Sequence, residues 1–416
     1  MLFRNAWQKR FAGFPESSGR KARVPFLRAL LILAPLLLGA GSGLAQQQGP
    51  GVTDKEIKIG AWMPLTGPVA AYGVPQRAGF EAYLSMINDR GGIKGRKFNL
   101  IVEDNGFNAQ RTVAAARKLT SRDGVLAIVC PNGTANTAAT FSYLLDEAKV
   151  PIINPYGGAE DWYNPARANL FGAQVLYEAQ AQAIGRWAAK DGHRKMIVVY
   201  SSVAAFENVA NKIGPSVKAI RPDATVDLYP TKLNTQDYGP IALEIAQKKP
   251  DALLLILTQP EIVALAKELQ QQGFHPALYS YAPTVSNALI ELAGPAVEGM
   301  KSVSWTVPPT LDTPAVREYR EALAKYAPTE KPDYLSLFGF GMAKIFVEAV
   351  RRIEGPITRE SLVKAMYSIR NYDSGIFPPV SYGPNQHLGV TALQRVQISA
   401  SKWQAVGEPI DSAKAW

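Results

Sequence analysis

From Ile57 onward, short apolar runs alternate with longer segments whose apolar residues recur every three to four positions. That rhythm dictates strands followed by helices, and a repeated βα unit packs as a parallel sheet covered on both faces. Residues 57–63 read as a strand, and 76–89 as a helix burying Phe80, Tyr83, Leu84 and Ile87. A strand at 98–103 follows, and Asn108 is a suitable N-cap for a helix reaching Arg122. Strands at 125–130 and 150–154, with a helix at 135–148 between them, complete four such steps. The rhythm restarts after Gly172. It predicts a helix at 177–190, a strand at 196–200, a helix at 207–220 and a strand at 225–229. A helix at 241–248, a strand at 252–257, a helix at 262–272 closed by Gly273 and a strand at 277–281 come next. Residues 313–369 read as mostly helical, divided at Pro332 and Pro356, and 380–406 as short strands. The expected fold class is α/β: two doubly wound parallel-sheet lobes of similar size, with a ligand cleft outside the C-terminal ends of the strands. A chain of 416 residues is long enough for two such cores.

The formal charge of +10 invites a nucleic-acid or membrane-surface reading, but it is unevenly spread. Residues 1–45 carry seven basic side chains (Arg4, Lys9, Arg10, Arg20, Lys21, Arg23 and Arg28) against one acid, Glu16. An apolar stretch at 29–40 and the small-residue pattern Gly43-Leu44-Ala45 complete a cleavable secretory signal peptide. Twelve residues interrupted by Pro35 are too short to span a bilayer core of about 30 Å. Without that segment, 38 basic residues face 34 acidic ones, an excess too mild for a nucleic-acid partner. The expected location is the periplasm. The single cysteine, Cys130, excludes an intrachain disulfide.

Catalytic signatures are sparse. The three histidines, His193, His275 and His387, show no metal-ligand spacing, and no G-x-S-x-G elbow occurs, so neither a metal, a cofactor nor a catalytic residue is expected. Gly91–Lys97 is rich in glycine and base but lacks phosphate-loop spacing and reads as a turn, while Gly339-Phe340-Gly341 reads as a helix-packing contact. What remains is a set of loops at strand ends. The first runs from Pro64 to Gly73 and projects Tyr72. The second, Pro131-Asn132-Gly133-Thr134-Ala135-Asn136, opens a helix whose N–H groups and Thr134 hydroxyl suit an anion such as a carboxylate. The third, Pro155-Tyr156-Gly157-Gly158, lets backbone approach a ligand.

Ile57-Lys58-Ile59-Gly60, Thr66-Gly67-Pro68-Val69-Ala70-Ala71-Tyr72-Gly73 and Asn88-Asp89-Arg90-Gly91-Gly92-Ile93-Lys94-Gly95, in succession, resemble the leucine/isoleucine/valine-binding family of ABC-transporter substrate-binding proteins. Val150-Pro151-Ile152-Ile153-Asn154-Pro155 and Gly294-Pro295-Ala296-Val297-Glu298-Gly299-Met300 extend the likeness over residues 52–406. The resemblance implies a type I periplasmic binding protein: no catalysis, a small-molecule ligand, and docking of the closed form on a permease. It implies lobe one at 52–172 plus 304–378 and lobe two at 173–303 plus 379–406, joined by three crossovers. A monomer that meets the membrane only through the permease is expected.

The resemblance also places ligand residues, unevenly. Tyr72 matches an aromatic that flanks the ligand. Thr134 and Ala135 match positions that meet a carboxylate, and Asn132 shares their loop. Gly157 and Gly158 fall where amino-acid binders carry a small residue and a threonine, so a hydroxyl is lost and Tyr156 is added. Phe206 replaces part of a tyrosine-glycine pair, Gln259 lies near a frequent tyrosine, and Tyr281 stands where an acid would hold the ammonium. Burying an ammonium without a carboxylate would cost several kcal/mol. The expected ligand is therefore a small organic carboxylate, aromatic or hydrophobic. A branched-chain amino acid or short amide, with an acid such as Glu207 rearranged, is the alternative. A ligand-sensing subunit and an exported α/β enzyme remain further readings.

Overall fold

The computed structural model describes residues 47–412 with the exception of Asn234; the export signal expected at residues 1–45 lies outside the described residues. Two α/β lobes are present. In the first, β1 (Glu56–Met63), β2 (Lys97–Asp104), β3 (Ile128–Val129), β4 (Ile152–Ile153) and β5 (Leu170–Phe171) form a parallel sheet in the order β2-β1-β3-β4-β5. In the second, β6 (Lys195–Ser201), β7 (Thr225–Thr231), β8 (Ala252–Ile256), β9 (Ala277–Ser280) and β10 (Lys301–Ser304) repeat that order as β7-β6-β8-β9-β10. Three antiparallel strands extend the second sheet: β11 (Ala392–Ser399), β12 (Lys402–Ala405) and β13 (Ile410–Asp411).

Both faces of each sheet are apolar, yet the period of two is kept. Met196 and Val198 of β6, with Ala252, Leu254 and Ile256 of β8, enter one core; Ile197, Val199, Leu253 and Leu255 enter the other. In β1, Ile57, Ile59, Ala61 and Met63 share one core, whereas Trp62 faces a separate cluster with Leu119, Phe141 and Trp162. The first core continues between the lobes and takes in Tyr72, Tyr156, Tyr281 and Trp305.

Several helices depart from the sequence reading for local reasons. The first begins at Ala70, ahead of the expected Gln76, and runs to Asp89. Gly73 permits this, because a Cβ there would lie 2.2 Å from the Pro64 carbonyl oxygen. The helix expected at 135–148 resolves into a short α-helix, Thr134–Ala138, and a π-helical turn, Ser142–Glu147. Thr140 Oγ1 donates to the Thr137 carbonyl at 2.7 Å, which competes with the helical ladder. Thr120 Oγ1 does the same to Ala116 at 2.8 Å beside the π-helical Lys118–Arg122. The helix expected at 207–220 divides into Ala204–Asn211 and Ile213–Lys218, because Pro215 has no N–H to continue it. Strand β5 was not anticipated, being only two residues long.

The helices Pro314–Tyr326 and Tyr334–Arg352 return to the first lobe and pack on Ala70–Asp89. Their contact depends on glycine. A Cβ on Gly79 would meet the Ser336 carbonyl oxygen at 1.8 Å, and one on Gly339 the Gln76 carbonyl oxygen at 2.1 Å. Gly339→Val is therefore expected to destabilise the fold by about 1–3 kcal/mol through overpacking, read as a lower urea midpoint; an unchanged midpoint would mean that the helices cross less closely. No helix among the described residues is long and apolar enough to cross a membrane.

Candidate functional site

In both sheets the strand order reverses between the first strand and its third-strand neighbour, at β1/β3 and at β6/β8. Such switch points open a crevice at the strands' C-terminal ends. Tyr72, Thr134, Phe206 and Gln259 stand in the first turns of the helices that follow β1, β3, β6 and β8, and Asn132 lies in the loop after β3. The two crevices face each other: Tyr72 Oη accepts a hydrogen bond from Gln259 N at 2.9 Å. Further bonds close the lobes together, from Lys212 Nζ to Glu160 at 3.3 Å and from Asn287 N to Asp333 Oδ2 at 2.6 Å.

The first loop is held by Asp104, whose carboxylate accepts from Leu65 N at 2.9 Å, Thr66 Oγ1 at 2.6 Å and Gly106 N at 2.9 Å. Burial alone would raise this carboxyl, but those bonds and Arg111 together hold it at about 2. The loop after β3 is held from below. Gln76 Nε2 donates to the Cys130 carbonyl at 2.9 Å, and Asn132 Nδ2 donates to Gln76 Oε1 at 2.5 Å. Asn132 thus sits beneath the cleft, tied to the scaffold. Burial pushes the Cys130 thiol up to about 12, so it is inert. Gly133, at φ +106°, makes the turn into Thr134; a Cβ there would strike Asn136 Nδ2 at 2.6 Å.

Tyr156 is the centre of an aromatic cluster. Its ring centroid lies 6.4 Å from that of Tyr72, 5.3 Å from Trp305 and 5.1 Å from Phe338. Tyr281 continues the cluster from the second lobe, 5.8 Å from Tyr177 and 6.4 Å from Phe206. Burial raises the hydroxyls of Tyr72, Tyr156, Tyr177 and Tyr281, so each stays a neutral donor. Gly157 and Gly158 follow Tyr156, and a Cβ on Gly157 would lie 3.0 Å from Thr134 Oγ1.

The structure brings Tyr72, Tyr156, Gly157, Gly158, Gln259 and Tyr281 together as buried residues, with Thr134 and Phe206 half-buried at their edge. Ala135 is exposed on the outer side of its turn, and Glu207 is exposed beside them. Tyr72 and Gln259 bond each other across the lobes. Sequence reasoning missed Gln174, Tyr177, Trp305 and Glu261. The Glu261 carboxylate, 2% exposed, accepts from Ser201 Oγ at 2.8 Å, Thr258 N at 2.9 Å and Thr258 Oγ1 at 2.7 Å. Its signal was the capping box Thr258–Glu261 directly after β8. Among the described residues, no group of three or more potential ligands is placed to hold a metal ion.

Two α/β lobes with matching strand orders, closing their switch points on a shared aromatic cluster, define a two-lobed ligand-binding protein of the kind that grips a solute between its halves. The sequence model of the periplasmic binding protein family matches residues 56–402, and the chain belongs to that family. The family consists of substrate-binding proteins of ABC transporters, which take small molecules to permeases and are not enzymes. A Leu/Ile/Val-binding protein homolog 7 from Brucella abortus is 26% identical over 331 residues, 75% of this chain and 81% of that one. The fatty acid ABC transporter substrate-binding protein of Thermomonospora curvata superposes with a TM-score of 0.80 at 24% identity, covering 88% of this chain and 95% of that one. A solute-binding protein from R. palustris in complex with benzoate gives 0.74 at 19%, covering 85% and 96%. The type I periplasmic binding protein fold expected from the sequence is the fold observed.

Proposed function

We propose that this protein captures a small organic carboxylate with an aromatic or hydrophobic body in the periplasm, after loss of residues 1–45, and delivers it to an ABC permease as a monomer. The lobes would be 52–172 plus 304–378 and 173–303 plus 379–406. Ligand bonded to both lobes favours the closed arrangement through its differential affinity, and the closed form is what the permease engages. The observation that supports this ligand class is the makeup of the buried surface between the switch points. Rings from Tyr72, Tyr156, Tyr281 and Trp305 line it, the Tyr156 hydroxyl has no protein partner, and the Glu261 carboxylate already accepts three bonds. Aromatic faces suit a ring or an alkyl chain, and neutral hydroxyls suit an acceptor better than an ammonium. The T. curvata and R. palustris proteins, of the same fold, take a fatty acid and benzoate. The Brucella relative supports the second reading, a branched-chain amino acid.

Thermal shift and calorimetry with benzoate, cinnamate, octanoate, leucine and valine separate the two. An acid at about 100 times its Kd is expected to stabilise the protein by about 2.7 kcal/mol. Stabilisation by leucine or valine, with none by the three acids, would overturn the carboxylate reading.

A further inference from the structure

We infer that Trp305 is a ligand-binding residue of the cleft, its indole N–H donating to the carboxylate of the bound acid; this rests on the carboxylate reading above. Strands β6, β8, β9 and β10 run parallel, so the residues that follow them leave the second sheet at one edge. Gln259 comes after β8, Tyr281 after β9 and Trp305 after β10 at that edge. The edge faces the first lobe: Gln259 N bonds Tyr72, and the Trp305 ring lies 5.3 Å from that of Tyr156, which follows β4. Ser304 Oγ donates to the Thr306 carbonyl at 2.9 Å and accepts from Thr306 N at 3.2 Å. These two bonds fix the backbone on either side of the indole, so its position is set before any ligand arrives.

Trp305 is 4% exposed, and its buried Nε1 has no hydrogen-bond partner among the described residues. Its ring neighbours are Tyr156 and Phe338, the latter at 5.1 Å. A ring face accepts an N–H only weakly, so neither replaces a hydrogen bond. Buried donors are almost always satisfied, and one left over between two ligand-gripping lobes is matched by an acceptor that arrives with the ligand. Tyr156 brings a second such donor on the adjoining ring: its buried hydroxyl has no partner among the described residues, and burial keeps it protonated. An indole N–H only donates. A carboxylate, with about four acceptor sites and no donor, complements it, whereas an ammonium finds no acceptor there. The flat indole face also suits the ring or alkyl body of the acid.

The test is a proton–nitrogen correlation spectrum of the isotope-labelled protein, taken with and without saturating benzoate, cinnamate or octanoate, whichever binds most tightly. Trp305→Phe keeps a ring, removes the N–H and so assigns the Trp305 indole signal. That indole proton is expected to move downfield with the acid, as a hydrogen bond to a carboxylate requires. Calorimetry on Trp305→Phe is expected to show affinity for the acid lower by about tenfold or more. A merely structural residue weakens binding when replaced without shifting the wild-type indole proton downfield. An indole proton that stays in place or moves upfield at saturation, or a Trp305→Phe variant that binds as wild type, overturns the inference while the carboxylate reading stands. Should Trp305→Phe fail to fold, the signal is assigned from its contacts with the Phe338 ring, and the wild-type spectrum decides. A wild-type protein that binds none of the three acids overturns the carboxylate reading, and the role of Trp305 with it.

Discussion

Tyr156→Ala is expected to destabilise the protein by about 3–5 kcal/mol and to abolish measurable binding of the acid, whereas Tyr156→Phe is expected to leave stability unchanged or slightly higher. The ring is what the folded state needs. It makes edge contacts with Trp305 at 5.3 Å and Phe338 at 5.1 Å, and its removal leaves a cavity between the lobes. The hydroxyl is different, for it is buried with no protein partner, so the fold gains nothing from it. Deleting it relieves an unsatisfied group whose burial costs about 1–3 kcal/mol. If that hydroxyl serves the ligand, Tyr156→Phe loses about tenfold in affinity for the acid with no loss of melting temperature. Calorimetry and thermal melting on the same preparations check both halves. A phenylalanine variant that binds as wild type would remove the hydroxyl from the ligand's contacts; an alanine variant that melts as wild type would remove the ring from the core.

The fold was legible because its signals are local. Continuous apolar runs such as Leu253–Leu257, a capping Asn108 and a terminating Gly273 each report on a few neighbouring residues. The site was legible where it hangs on such elements: Tyr72, Tyr156, Gln259 and Tyr281 follow strands that the pattern exposed. It was illegible where the strand itself was too short to read. Leu170–Phe171 pairs with β4 through only two residues, so the crossover carrying Gln174 and Tyr177 was not recognised as a strand-end loop. Trp305 was missed for a related reason, since β10 joins the second sheet through pairings that no local pattern encodes. Nor could the sequence show that Tyr72 and Gln259, assigned separately to the ligand, bond each other, because that distance exists only once the lobes meet.

Asp333→Ala is expected to weaken ligand affinity by 30-fold or more, as well as lowering the melting temperature, because one carboxylate fastens two helices from opposite lobes. Asp333 Oδ1 accepts from Leu335 N at 2.8 Å and caps the helix Tyr334–Arg352. Its Oδ2 accepts at 2.6 Å from Asn287 N, the first residue of the helix Asn287–Ala293 on the second lobe. Losing a cap costs about 0.5–2 kcal/mol and losing the hydrogen bond from the half-buried Asn287 N–H to a charged carboxylate about 1.5–3 kcal/mol, and the second falls only on the closed form. The clasp is wired to the cleft: Gln259 Nε2 donates to Ser286 Oγ at 2.8 Å, next to Asn287, while Gln259 N donates to Tyr72. Burial raises the Asp333 carboxyl to about 6; Glu291 adds to the rise, and N–H bonds from Asn287, Leu335 and Tyr334 oppose it. Lys331 pairs with Glu291 at 3.5 Å, and the phenols of Tyr156, Tyr319 and Tyr334 complete the titratable groups around it. A carboxyl raised by closure takes up a proton on closing, so its penalty is fully present above about 6 and is relieved as pH falls toward the ordinary carboxylate range. Affinity for the acid is therefore expected to rise by up to about fourfold between pH 7.5 and 5.5 if opening returns Asp333 to its ordinary value, and Asp333→Asn is expected to flatten that profile. An Asp333→Ala variant that melts earlier yet binds as tightly as wild type would confine this carboxylate to capping its own helix.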